Sequence, residues 1–367
     1  MENKNVKILY FFNTGRESRL INHKNYPNDF FYYYTELKNK KFNVDYIEIS
    51  DEINTSLFIE LVKFFEKCLI KFLDLPFYFS KLLSFKNIFK ILKSNKVVIT
   101  NETMGFSFLF VPFLLKNKIS VVFVMGLFDL LDSKKFKYFK RLILKLYLKK
   151  YSKFIFLSEV EYKIACKHYS ELKNKFSFIP FSVDRVFWNS NSKTSNSKIL
   201  FIGNDKYRDY ETLKEIALKL PKFEFIFISS YFKDSELPKN VKLYSGNWRK
   251  SNLSDLDLKN IYKSSKMSII PTVKSKQPSG QSVLLQSMSM MVPVLITYHE
   301  NFWGSNIFED KKDIIYVKNK EDWSNAIAEC YRDDTFLEHI TKNAYETLKS
   351  NFDQAKLFKS FKSILLK

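Results

Sequence analysis

The stretch IIPTVKSKQPSGQSVLLQSMSMMVPVLIT, residues 269–297, decides the fold class. An apolar run ends at Pro271, and a polar loop carrying Lys274 and Lys276 follows. Helical periodicity begins after Gly280, and a second apolar run closes the segment at 293–297. Strand, loop, helix, strand in this order is one turn of a parallel α/β sheet. The segment KILFIGNDKYRDYETLKEIALKL (198–220) repeats the plan: strand, Gly203, a short polar loop, then a helix beginning near Asp209.

Outward from these two segments the same alternation covers the chain. KILYFF (7–12), FNVDYIEI (42–49), KVVIT (96–100), SVVFVM (120–125) and KFIFLS (153–158) read as strands in the first half, with helical patterns such as 28–40 and 57–72 between them. The second half adds KILFIG (198–203), FEFIFIS (223–229), VKLYS (241–245), MSIIP (267–271), PVLIT (293–297) and DIIYV (313–317). Its helical segments fall at 209–219, 255–265, 281–291, 320–332 and 335–349. The strands show little strict alternation, as expected where both faces of a parallel sheet are covered. Between the halves, NSNSKTSNSK (189–198) holds no apolar side chain and reads as a linker.

The fold class expected is therefore α/β: two tandem Rossmann-like domains facing each other across a cleft, over 1–188 and 199–342. A C-terminal helical segment over 343–367 is expected to pack across their junction.

With 367 residues and 46% hydrophobic content, the chain is long enough for two cores. Its net charge of +21 attracts polyanions. Lys, Asn, Phe, Ile and Tyr are all abundant together, a mark of compositional drift, to which about half of the positive excess is assigned. The three cysteines and four histidines are scattered without metal-ligand or disulfide spacing, so no metal site is expected. The start, MENKNVKILYFF, runs directly into a strand, and the apolar stretch MGFSFLFVPFLL has only 12 residues before Lys116. A membrane span needs about 20. A cytoplasmic location without secretion is the expectation.

Glycine is scarce, with seven in the chain. Gly15, Gly126, Gly203 and Gly280 each fall in a loop leaving a strand, where a backbone amide can approach a phosphate with no side chain intervening. Gly15 is taken for the donor side and Gly126 for the acceptor side. Around Gly203, the loop residues Asn204 and Lys206 lead to Arg208, whose planar, permanently charged fork suits a diphosphate. Asp209 reads as a helix cap. Ser279, Gly280, Gln281 and Ser282 offer amides and hydroxyls at a helix start, and Gln286 follows at a distance suited to ribose hydroxyls. Trp248 is a candidate for contact with the base.

These segments resemble the donor-binding half of GT-B glycosyltransferases, in particular glycosyltransferase family 4. The pattern strand–Gly–loop–basic residue–helix followed by SGQSVLLQSMSMMVPVLIT is similar to that family's diphosphate- and ribose-binding elements. FIPFSVDRVFW (178–188) resembles the closing signature of the first domain, with Asp184 in its turn. The strong match covers about 153–305, and the N-terminal half agrees in strand order, Gly15 and Gly126. Many members carry two glutamates eight positions apart here, where this chain has Pro278 and Gln286.

The resemblance implies transfer of a sugar from a UDP- or GDP-linked donor to a glycan or lipid-linked acceptor in polysaccharide or lipopolysaccharide synthesis. It also implies retention of configuration, a role for Arg208 in catalysis and no cofactor. The alternatives weighed are a GT-B-shaped nucleotide-sugar epimerase and a basic nucleic-acid-binding protein. The first lacks clustered acid/base residues, and the second lacks alternating basic and aromatic residues on strands.

Asp255-Leu256-Asp257 has the D-x-D form of metal-dependent transferases, but after Ser254 it reads as a helix start. KKFKYFKRLILKLYLKK (134–150) places Lys137, Arg141, Lys145 and Lys149 on one stripe. Phe136, Phe139, Ile143, Leu146 and Tyr147 lie in other directions. An anionic membrane surface is the partner expected for this helix.

Overall fold

The computed structural model describes residues 5–21, 25–49, 57–82, 84–131, 137–190, 197–246, 253–300 and 302–367. The chain divides into two compact units. The first comprises residues 1–21, 30–180 and 357–367, and the second 22–29 and 181–356. Each is built on one six-stranded, wholly parallel sheet.

In the first unit the strands are β1 (Ile8–Phe12), β2 (Val44–Glu48), β3 (Lys96–Ile99), β4 (Ile119–Val124), β5 (Lys153–Phe156) and β6 (Phe176–Phe178), ordered β2-β1-β3-β4-β5-β6. Every residue of β1 is buried, which is why its run ILYFF is continuous rather than alternating. Only β6 lies outside the sequence reading. It has three residues, too few for a periodicity to declare itself.

Right-handed crossovers fix where the helices go. The connection from β1 to β2 runs one way along the sheet, and all connections from β2 onward run the other way. The helices between β2 and β6 therefore share one face. Tyr34–Asn39 takes the opposite face with the C-terminal helix Gln354–Leu366, whose Phe361 stacks on Tyr33 at 5.0 Å and meets Phe123 of β4 at 5.7 Å.

The pattern over 28–40 is not one helix. A turn of 3-10 helix at Asp29–Phe31 gives way to left-handed Tyr32 and Tyr33, with φ of 48° and 68°, before Tyr34–Asn39. Tertiary contacts hold that break: Tyr10 Oη donates to Tyr32 O at 3.1 Å, and Tyr33 packs on Phe361.

The second unit holds β7 (Lys198–Ile202), β8 (Phe225–Ile228), β9 (Val241–Tyr244), β10 (Ser265–Ile270), β11 (Val294–Thr297) and β12 (Ile315–Val317), ordered β12-β11-β10-β7-β8-β9. Its core joins Ile199, Phe201, Phe227, Ile269 and Leu295 of the sheet to Trp323, Ile327 and Ile340 of the covering helices. Asp255 and Asp257 do begin a helix, Asp255–Lys263, where Ser254 Oγ accepts from Asp257 N at 3.1 Å and Asp257 Oδ2 accepts from Ser254 N at 2.9 Å. Asp184 organises its turn by accepting from Val186 N and Phe187 N at 3.0 and 3.1 Å.

Candidate functional site

In the second sheet the chain leaves β7 toward β8 and β9, then returns to lay β10 on the other side of β7. The loops after β7 and β10 thus diverge from neighbouring strand ends at the topological switch point, where open α/β sheets bind ligands. The two loops are zipped together. Asp209 N donates to Pro271 O at 3.0 Å, Val273 N donates to Tyr207 O at 2.9 Å, and Arg208 pairs with Thr272 in an isolated antiparallel bridge. Asp209 Oδ1 caps the helix Tyr210–Lys219 by accepting from Thr212 N at 3.0 Å.

This zipper holds the Arg208 side chain, only 4% exposed, between two glycines. A Cβ on Gly203 would lie 2.7 Å from Arg208 Nε, and one on Gly280 would lie 2.8 Å from Arg208 Nη1. Gly280 also has φ +81°, a conformation that side chains disfavour, and it is the N-cap of the helix Gln281–Ser289. Arg208 Nε is 3.1 Å from Asp205 Oδ2, while Asp205 Oδ1 accepts from Ser279 Oγ at 3.0 Å, so Asp205 clamps the two loops. Arg208 Nη1 has no hydrogen-bond partner among the described residues. A buried guanidinium N–H left unmet costs about 1–3 kcal/mol. Beside the positive end of a helix, an anion is the group that would meet it.

The other residues expected at the donor site sit as follows. Ser279 and Gln281 are buried and Ser282 half-buried at the helix start. Asn204 and Lys206 are exposed; Asn204 Oδ1 accepts from Ser230 N at 2.6 Å, and the Lys206 ammonium lies 5.1 Å from the Tyr207 ring centroid. Trp248 lies outside the described residues.

Gln286 is buried, and its Nε2 donates to Asp29 Oδ2 at 2.9 Å while its Oε1 accepts from Tyr262 Oη at 3.3 Å. Asp29 also accepts from Trp188 Nε1 at 2.7 Å and from Asp184 N at 2.5 Å. Burial pushes its carboxyl up to about 7 against the pull of these donors. Asp29 and Tyr262 form this framework, and Asp205 clamps Arg208 and Ser279, all without a family motif to announce them. The one local signal is Asp205, three residues before Arg208.

Gly15 and Gly126 belong to the first unit. The amides of Gly15, Arg16 and Glu17 all donate to the Glu48 carboxylate, at 2.9, 2.6 and 2.5 Å. Past Gly126, Phe128 N donates to Glu161 Oε1 at 2.9 Å, and Met125 N donates to Glu102 Oε2 at 3.1 Å.

No protein-family model matches the chain, and no curated protein matches it by sequence. Solved structures do match. HepE of Anabaena, solved with UDP and glucose, is 12% identical with a TM-score of 0.66 over 98% of this chain and 99% of that one. Sucrose-phosphate synthase of Thermosynechococcus elongatus is 11% identical with a TM-score of 0.66 over 98% of each chain. A glycosyltransferase of Rickettsia africae is 13% identical with a TM-score of 0.60 over 98% of this chain and 99% of that one. At such identities the likeness speaks for architecture. The chain has the two-domain α/β fold of the GT-B glycosyltransferases.

Proposed function

We propose that the protein is a glycosyltransferase that holds a nucleotide-sugar donor in its second unit, with the diphosphate at Arg208 and the start of the helix Gln281–Ser289. The observation that carries this is the Arg208 guanidinium, buried between Gly203 and Gly280 with Nη1 unmet among the described residues. The fold shared with HepE, which was solved with UDP and glucose, supports the reading. Ser282 at the helix start supplies a hydroxyl to the same anion, while Ser279 spends its own on Asp205 and holds the loop in place.

When the bond between sugar and diphosphate breaks, negative charge grows on the departing phosphate. A fixed guanidinium and a helix dipole stabilise that charge without reorganising, so the reaction runs without a metal. The donor is UDP- or GDP-linked, the acceptor a glycan or lipid-linked sugar used in cell-surface polysaccharide synthesis, and the transfer retains configuration, as the resemblance to glycosyltransferase family 4 implies. Titration calorimetry with UDP, GDP and a panel of their sugars tests the donor reading. Arg208→Ala removes one charge-assisted contact worth about 1.5–3 kcal/mol, so affinity should fall by about 10- to 150-fold. Unchanged UDP and GDP affinity in that variant would refute the site.

A further inference from the structure

We propose that the helical face of the first unit docks on an anionic lipid bilayer through exposed aromatic side chains set among lysines. The helix Leu57–Leu73 is turned the wrong way for a helix in water. Leu61, Phe64, Phe65 and Phe72 are 53%, 63%, 65% and 54% exposed and, with exposed Cys68, make a stripe of helical period. A water-facing helix turns such a stripe inward.

The neighbouring segments repeat the inversion. Phe85 and Phe89, one turn apart on the helix Phe85–Leu92, are 93% and 58% exposed. Phe110 and Phe113 are exposed around the turn Pro112–Leu115. On the helix Lys137–Lys150, Ile143 and Tyr147 are buried, while Tyr138, Phe139, Leu142 and Leu146 face outward beside exposed Arg141, Lys145 and Lys149. The side chain of Lys137 and all of Phe136 lie outside the described residues.

These segments form one layer. All follow β2 and precede β5, so right-handed crossovers set them on the same side of the sheet. They are tied edge to edge: Lys140 Nζ lies 3.3 Å from Asp74 Oδ2, Phe79 meets Phe110 at 5.2 Å, and Lys150 Nζ donates to Pro112 O at 2.8 Å.

Charge selects the occupant. Residues 57–150 hold 18 Lys and Arg against six Asp and Glu, more than half of the chain's net +21, and the exposed Lys67, Lys71, Lys86 and Lys93 stand beside the exposed rings. A second copy of the chain would meet this face with the same sign of charge. An anionic bilayer complements it, admitting the rings among its acyl chains while its headgroups face the lysines. No helix among the described residues is long and apolar enough to cross a membrane, so the contact is interfacial.

Co-sedimentation of the full chain with vesicles tests this without any sugar donor, so its outcome is independent of the donor reading. Vesicles of phosphatidylcholine mixed with phosphatidylglycerol should carry the protein down, and pure phosphatidylcholine should carry far less. Each lysine near such a surface strengthens binding about fivefold, so neutralising Lys67, Lys71 and Lys145 together should weaken it about a hundredfold. Phe64→Ser with Phe65→Ser and Phe72→Ser should abolish what remains at high salt. These exposed side chains should leave the far-ultraviolet circular dichroism unchanged. Equal partitioning to neutral and anionic vesicles overturns the proposal, as does full binding by the triple Phe variant. Lipid-free self-association that the triple Phe variant abolishes, read by sedimentation equilibrium, would assign the face to a second copy instead.

Discussion

After β1, the amides of Gly15, Arg16 and Glu17 converge on Glu48, which ends β2 of the same sheet. After β7, the matching strand of the second sheet, stands a buried Arg208 whose Nη1 is unmet among the described residues. Both strands lie at the point where strand order reverses. The first unit has thus met its own loop amides with its own carboxylates, Glu161 on Phe128 included, while in the second Arg208 is paired with Asp205 through Nε and keeps Nη1 unmet among the described residues. Two copies of one architecture need not be two copies of one site, and an anion's place is read from the charge already present there. The units differ outside as well. Among the described residues the exposed phenylalanines all fall between Phe64 and Phe139, and the second unit exposes none.

The largest effect should come from filling the gap on which the second unit depends. In Gly280→Val the new Cβ would sit 2.8 Å from both Arg208 Nη1 and Ile270 Cγ2, at φ +81°. Nucleotide binding by calorimetry should vanish, whereas Gln286→Ala should keep a measurable part of it, because Gln286 bonds Asp29 and Tyr262 inside the fold. Greater damage from Gln286→Ala would move the phosphate away from Gly280 and dissolve the contrast between the units.

Much of this was legible in the sequence. Among the described residues eleven of the twelve strands announce themselves as apolar runs, because a parallel sheet buried on both faces needs them. Gly203, Arg208 and Gly280 stand out because glycine is scarce and the basic residue lies just before a helix. The framework behind them was not legible, since its partners are far apart in the chain: Asp205 and Ser279 are 74 residues apart, and Asp29 and Gln286 are 257. Nor does periodicity say which way a stripe faces. The Leu57–Leu73 pattern reads the same whether its phenylalanines meet the sheet or the solvent.

An intermediate effect should appear with pH, once in each unit. Burial pushes Asp29 of the second unit and Glu102 of the first up to about 7. Both are raised above their unfolded values, so the folded state favours the neutral acid. Their contribution is fully present below about pH 4 and is lost as pH rises through about 7, on the order of 3 kcal/mol for each group. Scanning calorimetry should find the wild type less stable at pH 8 than at pH 5. Asp29→Asn and Glu102→Gln should each flatten the slope of the unit that carries them, even though Asp29→Asn weakens its contacts with three donors at every pH. A slope unchanged in both variants would mean that these carboxyls ionise freely where they sit.

The smallest effect sharpens the comparison most, because it should touch one unit alone. Glu48 accepts from three consecutive amides at 2.9, 2.6 and 2.5 Å, and two of the three reach the same oxygen. Glu48→Gln keeps the shape but leaves one accepting oxygen and turns an amide NH2 toward a backbone donor. The exchange removes a charge-assisted contact and sets two donors face to face, a loss of about 1–2 kcal/mol for this half-buried group. The thermal midpoint should fall by a few degrees, as about 1 kcal/mol does in a domain of this size. UDP affinity should stay at the wild-type value, because all three amides already donate to a carboxylate of their own unit. If affinity falls in step with the midpoint, the Gly15 loop shares in holding the nucleotide, and the first unit is no longer closed.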